Sequence, residues 1–258
     1  MSILFSIENS VAKITLNRPK VFNSINREMA LKIQSLLDDC ATNADIRAVY
    51  FTGAGKAFGA GQDLQEILNP PNDMTVGDIV EQHYNPIIRR IRTLEKPVIA
   101  AINGVAAGAA ANIALACDIV IATESATFIQ AFSKIGLIPD SSGTFMLPRL
   151  VGLQKATALT MLGDKVTARK AEAMNMIYKA VPDEEFESTA WKIATKLAAM
   201  PTKGLGLTKR LLNQSLTNDL NTQLDAERDI QQAASQTEDY QEGVQAFLGK
   251  RKPVFKGH

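Results

Sequence analysis

Alternating apolar and polar positions near the start of the chain predict two short strands. Residues 3–7 (Ile-Leu-Phe-Ser-Ile) and 11–17 (Val-Ala-Lys-Ile-Thr-Leu-Asn) are rich in β-branched side chains and flank the polar link Glu8, Asn9, Ser10, which reads as a β-hairpin. The period then changes. Met29, Ile33, Leu36, Leu37 and Cys40 recur at three- and four-residue spacing, as in a helix with one buried face. Two mostly apolar runs follow, 46–53 and 97–104, which read as buried strands, each ended by glycine and each feeding a loop of small residues and then a helix. A third run, 118–123, comes after the helix expected over 108–117. Strand, small-residue loop and helix in this order imply βαβ organisation and a mostly parallel sheet, so the fold class is α/β. From about Thr144 the strand signal fades, apart from residues 178–181, and helical patterns run to about Leu248. A composition shift near residue 195 separates an α/β core, 1–195, from a helical C-terminal region, 196–258.

Composition removes several function classes. The 258 residues carry 28 Lys and Arg against 27 Asp and Glu, for a net charge of +1, and Lys250, Arg251 and Lys252 form the one tight basic group. No basic stripe points to nucleic acid or to an anionic membrane, so neither is expected as a partner. Cys40 and Cys117 lack metal-ligand spacing and read as buried small hydrophobes in a reducing, cytoplasmic setting. His83 and His258 are the only histidines, which leaves a zinc site or a Ser-His-Asp triad poorly supported. The expected metal count is none. No basic segment followed by an apolar stretch opens the chain, and no window of ~20 residues is free of charge, so neither a signal peptide nor a membrane span is expected.

Two loops carry candidate chemistry. Residues 53–64 (Gly-Ala-Gly-Lys-Ala-Phe-Gly-Ala-Gly-Gln-Asp-Leu) lack the Gly-Lys-Ser/Thr ending of a P-loop and the glycine spacing of a dinucleotide fingerprint. They offer instead unobstructed backbone N–H groups near Gly61, Gln62 and Asp63. Residues 103–114 make a similar offer, because a helix beginning near Gly108 directs its free N–H groups and positive dipole end outward. Tight helix-on-sheet packing would account for the same small residues. If both loops converge at the carboxyl ends of their strands, two N–H donors meet at one point and can stabilise an oxyanion. Residues 138–145 (Ile-Pro-Asp-Ser-Ser-Gly-Thr-Phe) add a carboxylate, Asp140. Read alone, this is ordinary turn chemistry, with Asp140 capping the next helix.

The stretches 15–19 (Thr-Leu-Asn-Arg-Pro), 60–64 (Ala-Gly-Gln-Asp-Leu), 96–108 (Lys-Pro-Val-Ile-Ala-Ala-Ile-Asn-Gly-Val-Ala-Ala-Gly), 117–122 (Cys-Asp-Ile-Val-Ile-Ala), 134–144 and 242–251 stand in an order that resembles the crotonase, or enoyl-CoA hydratase/isomerase, superfamily. The resemblance runs nearly end to end. It implies a crotonase-like spiral of ββα units with a C-terminal helical oligomerisation region that forms trimers, often paired into hexamers. The bound species would be an acyl-CoA thioester, with coenzyme A as part of the substrate and no other cofactor. Its carbonyl would be held by the N–H groups of Gln62 and of Ala109, where the family usually has glycine.

Further positions follow from the same resemblance. The segment from Arg18 to Ser24 and the loop Ala60, Gly61, Gln62, Asp63, Leu64 would line the CoA channel, with Asp63 holding the loop. Gly108 and Phe132 would complete the acyl site. Phe247 and Lys250 would reach a neighbouring subunit's CoA, against a reading of core packing and a solvated charge. The family's hydratases use two glutamates, and by motif those positions are Asn112 and Phe132 here. Neither can transfer a proton, so hydration by that mechanism is not expected. In several isomerases of the superfamily the working carboxylate follows Ile-Pro, where Asp140 stands. The context 131–144, with 83–86 (His-Tyr-Asn-Pro), looks most like a branch that isomerises ring-epoxidised arylacetyl-CoA. The expectation is an acyl-CoA isomerase with one Asp acid/base, whose apolar neighbours Phe132, Ile138 and Phe145 raise its pKa by desolvation. Rival readings are thioesterase, dehalogenase or hydratase chemistry, and a non-catalytic acyl-CoA or RNA binder.

Overall fold

The structure, a computed structural model, describes residues 1–68 and 74–258. The hairpin forms as the alternation dictates: β1 (Ile3–Glu8) and β2 (Val11–Leu16) pair antiparallel with Glu8 opposite Val11. Asn9 and Ser10 both take positive φ, the geometry of a type I′ turn, whose twist matches that of the flanking strands. After it come β3 (Ala48–Gly53), β4 (Ala57–Gly59), β5 (Val98–Ile102), β6 (Val105–Ala107), β7 (Ile119–Thr123), β8 (Thr127–Ile129), β9 (Lys165–Thr167) and β10 (Lys179–Val181).

The strands divide between two sheets. A six-stranded sheet has the order β1-β2-β3-β5-β7-β10 and is parallel from β2 onward, while a four-stranded sheet has the order β4-β6-β8-β9. Each successive pair, β3 with β4, β5 with β6 and β7 with β8, puts its first strand in the large sheet and its second in the small one. The chain therefore winds as a spiral, and every turn of it ends in a short strand beside a loop.

The mostly apolar runs are explained by burial on both faces of the large sheet. Ile14, Val49, Phe51, Val98 and Ala100 face the main core with the helix Arg27–Thr42. Val11, Tyr50, Ile99 and Ile121 face Phe186, Ala190 and Ala194 of the helix Asp183–Ala198. Cys40 and Cys117 are buried thiols in the main core; burial pushes the Cys40 thiol up to about 12 and raises that of Cys117 further. No described helix is long and apolar enough to cross a membrane.

Residue 195, where composition shifts, lies inside the helix Asp183–Ala198, and regular structure breaks between Ala198 and Thr202. Three helices follow, Thr202–Ser215, Leu220–Ala234 and Glu238–Leu248. The first is fastened to the core by a buried ion pair. Lys209 Nζ lies 2.8 Å from Asp118 Oδ2, which also accepts the Val98 N–H at 2.8 Å, and Arg92 stands 3.6 Å from the other carboxylate oxygen. Burial lowers the proton affinity of Lys209, and Asp118 opposes that shift. Removing one partner from such a pair strands the other charge. Asp118→Ala is expected to lower stability by about 3–5 kcal/mol in urea unfolding. Lys209→Met, which leaves Asp118 its Val98 and Arg92 partners, is expected to cost less.

Candidate active site

The two small-residue loops meet. Gly61, at φ +86°, packs so closely on the start of the helix Gly108–Ala116 that a Cβ on it would lie 3.0 Å from the Ala107 carbonyl oxygen and 3.2 Å from the Ala109 nitrogen. Any side chain at position 61 would drive the loops apart. The Gln62 backbone is held from behind: Ile25 N–H donates to Gly61 O at 2.7 Å and Asp63 N–H to Ile25 O at 2.9 Å. In a parallel bridge of this kind the residue between the two bonds turns its own N–H the other way. Ala109 lies in the first turn of its helix, where N–H groups have no intrahelical acceptor and the dipole favours negative charge. Both donors therefore border the same opening.

That opening is a cavity of about 380 Å³. Ala60, Gly61, Gln62, Leu64, Gly108, Ala109, Phe132 and Asp140 all line it, with Ser24 and Tyr84 beside them. Its walls are otherwise mostly apolar, including Ile67, Val76, Ile79 and Leu137, with Lys134 contributing a cation. Asp63 lies behind the wall, paired with Arg18 at 2.7 Å and accepting the Gln65 N–H. Phe247 and Lys250 are not brought to the cavity of their own chain; Phe247 is 83% exposed on the last helix.

Asp140 sits in a turn, but its carboxylate does not cap the next helix. The N-cap of Gly143–Val151 is Ser142, with no side-chain cap bond, and it is the main-chain carbonyl of Asp140 that accepts the Gly143 N–H, at 2.8 Å. The carboxylate is left for the cavity, with Ser141 Oγ donating to its Oδ1 at 2.8 Å. Burial raises the Asp140 pKa above the ordinary carboxylate value, and the Ser141 hydroxyl partly offsets the rise. The source of that burial departs from expectation. Phe132 does line the cavity, but Ile138 is 80% exposed and Phe145 42%, because the turn directs both outward. Tyr84, itself buried, lines the cavity with Phe132 in their place.

Tyr84 carries a role that hydrophobic periodicity could not reveal. A π-helical turn, Val80–Tyr84, brings both His83 and Tyr84 inward, where a regular helix would separate them by 100°. Tyr84 donates its hydroxyl to Gln62 Oε1 at 2.6 Å, and Gln62 Nε2 donates to Glu66 at 3.1 Å. Glu66 in turn accepts the Arg27 N–H. Arg27 Nη1 donates to His83 Nε2 at 3.1 Å, which fixes the proton of the neutral ring on Nδ1. Burial and Arg27 both favour that neutral form. The Gln62 side chain is thus occupied in holding its own loop.

The sequence model of the enoyl-CoA hydratase/isomerase family matches residues 6–258. Over 257 residues the chain is 48% identical to the 1,2-epoxyphenylacetyl-CoA isomerase of Escherichia coli strain K12, covering 99% of this chain and 98% of that protein. It is 33% identical over 255 residues to the 2,3-dehydroadipyl-CoA hydratase of the same organism, with 99% and 98% covered. A crystal structure of an enoyl-CoA hydratase from Bacillus anthracis superposes with a TM-score of 0.94 at 35% identity, covering all of both chains. The chain belongs to the enoyl-CoA hydratase/isomerase family. Its fold is the crotonase fold, and its activity is that of the family's acyl-CoA isomerases and hydratases.

A buried carboxylate with a raised pKa weakens the fold above its unfolded value. Between the unfolded and folded pKa the native state binds the extra proton, so stability falls as pH rises through that window. Asp140→Asn is therefore expected to raise the melting temperature at neutral pH. The gain should disappear below the ordinary Asp pKa, a trend that thermal scans across pH would reveal.

Proposed function

We propose that this enzyme is an acyl-CoA isomerase that works through a thioester enolate with Asp140 as its single acid/base. One observation carries the reading: among the described residues, Asp140 is the only carboxylate lining the cavity bordered by the Gln62 and Ala109 N–H groups. The C2 proton of a free thioester is too weakly acidic for a carboxylate to remove rapidly. Two fixed N–H donors lower that barrier because they bind the oxygen most strongly when it carries charge. Asp140 takes the C2 proton and returns it at C4, so a 3-enoyl-CoA becomes a 2-enoyl-CoA with no atom gained or lost.

Asn112 and Phe132 support isomerisation over hydration. An isomerase returns the proton it removes and needs one such group, whereas hydration also requires a water to be oriented and activated. The mostly apolar wall, in which Lys134 is the one cation among the described residues, supports an acyl group that is largely apolar, and the likeness to an epoxyphenylacetyl-CoA isomerase supports a ring-epoxidised arylacetyl-CoA, whose enolate permits expansion to an oxepin. Exposed Leu220, Leu224, Val244, Phe247 and Leu248 on the C-terminal helices support a trimer or dimer of trimers, in which Phe247 and Lys250 reach a neighbour's CoA. The two buried free thiols support a reducing, cytoplasmic compartment.

With a 3-enoyl-CoA, Asp140→Asn is expected to lose at least ~100-fold in kcat, the size of a general-base contribution. Wild type should leave crotonyl-CoA unhydrated in the parallel assay. Equal activity of mutant and wild type, or hydration alone, would overturn the assignment. Ser141→Ala removes a donor that lowers the Asp140 pKa, so the acid limb of its pH–rate profile should move to higher pH.

A further inference from the structure

Asn112 stands at a position where the family's hydratases carry a glutamate, and its amide makes two buried bonds. Nδ2 donates to the Asp140 main-chain carbonyl at 2.8 Å, and Oδ1 accepts from Gln130 Nε2 at 2.8 Å. Asn112 is 1% exposed, so water does not compete for either bond. Gln130 is buried too, and its Oε1 has no partner among the described residues. A buried, unpaired amide oxygen costs about 1–3 kcal/mol. An apolar residue would pack there without that penalty. What the glutamine contributes is a donor, which decides which end of the Asn112 amide faces Asp140.

The fit around this amide is close. A Cβ on Gly143 would lie 2.3 Å from Asn112 Nδ2, so the residue that closes the Asp140 turn must be glycine for the amide to reach the carbonyl. The turn itself is under strain. Ser141 and Ser142 sit at φ 49° and 65°, a left-handed pair without glycine, at a cost on the order of 1–3 kcal/mol each. Such a turn relaxes unless its neighbours hold it. Asn112 also lies one turn along the same helix from Ala109. The helix whose first turn offers an oxyanion donor therefore grips the loop that bears the base.

We propose that Asn112, oriented by Gln130, is the positioning residue that sets the separation between the oxyanion hole and the Asp140 carboxylate. The proposal rests on Asp140 being the acid/base. Asn112 holds the loop through its main chain and leaves the carboxylate free to move a proton. The side chain does not act on the substrate itself; it fixes the group that does.

The test uses the full-length enzyme. Asn112→Asp preserves shape and the acceptor for Gln130 but removes the donor to Asp140. Its kcat with a 3-enoyl-CoA is expected to fall ~10–100-fold, since a shift of about 1 Å in a catalytic group has effects of that size. KM should stay within about threefold, because the cavity and both N–H donors remain. A second carboxyl beside the first should also move the acid limb of the kcat profile to higher pH. Gln130→Leu, which lets the amide turn over, should lower kcat in the same way but less. A variant with a lower melting temperature but wild-type kcat and acid limb would show that Asn112 is only a packing residue and overturn the proposal. Asp140→Asn, run alongside, separates the two ideas. If Asp140→Asn remains active, the acid/base reading itself fails. If it is inactive while Asn112→Asp behaves as wild type, only the positioning role fails. Should Asn112→Asp not fold, an unchanged kcat in Gln130→Leu overturns the proposal by itself.

Discussion

The closeness of two backbones at Gly61 is the constraint on which the site depends. The loop after β4 and the first turn of the helix Gly108–Ala116 touch main chain to main chain, and a single methyl group at position 61 would separate them. The spiral makes this meeting possible. Adjacent parallel strands β3 and β5 end side by side, and β4 and β6 continue the pairing in the second sheet up to the loops themselves. The hydrophobic core, buried on both faces of the large sheet, keeps those strand ends in register. Two N–H groups can then share one opening without a side chain between them.

Around that opening the polar groups are arranged from outside inward. Tyr84, Gln62, Glu66, Arg27 and His83 brace one loop through side chains, while Asn112 and Gln130 brace the Asp140 turn through its carbonyl. None of these braces removes a group the cavity needs. Among the described residues the carboxylate of Asp140 has a single hydroxyl partner, and burial outweighs it in keeping the proton affinity high. Strain in the two serines after it is tolerated because the ties on either side outweigh it.

Much of this was legible in the sequence. Mostly apolar runs announced β3, β5 and β7, since a strand buried on both faces has few polar positions to confuse the pattern. The three-residue strands β4, β6, β8 and β9 were invisible, because a segment of that length carries no period, and in β4 and β6 small residues weaken the strand signal further. The oxyanion loops could be found from small residues after strands, and Asp140 from its place after Ile-Pro. The direction of individual side chains could not. Ile138 and Phe145 flank Asp140 in sequence yet face outward, because the left-handed Ser141 and Ser142 reverse the chain between them. Tyr84 was hidden by the π-helical turn, which breaks the 3.6-residue spacing on which helical faces are read. Asn112 looked like a loss of function from its residue type alone; its partners are 18 and 28 positions away.

The two cysteines have a practical consequence of another kind. Cys40 and Cys117 are the chain's only thiols, both are buried, and both are pushed so far from ionisation that almost no thiolate exists at neutral pH. Alkylating and fluorogenic reagents attack the thiolate, so the native protein offers them almost nothing. A single cysteine placed on the surface, at Ile138 beside the cavity mouth for instance, would be the one reactive handle. The wild-type chain is already a background-free scaffold for attaching a spectroscopic probe, and its own cysteines can be left where they are.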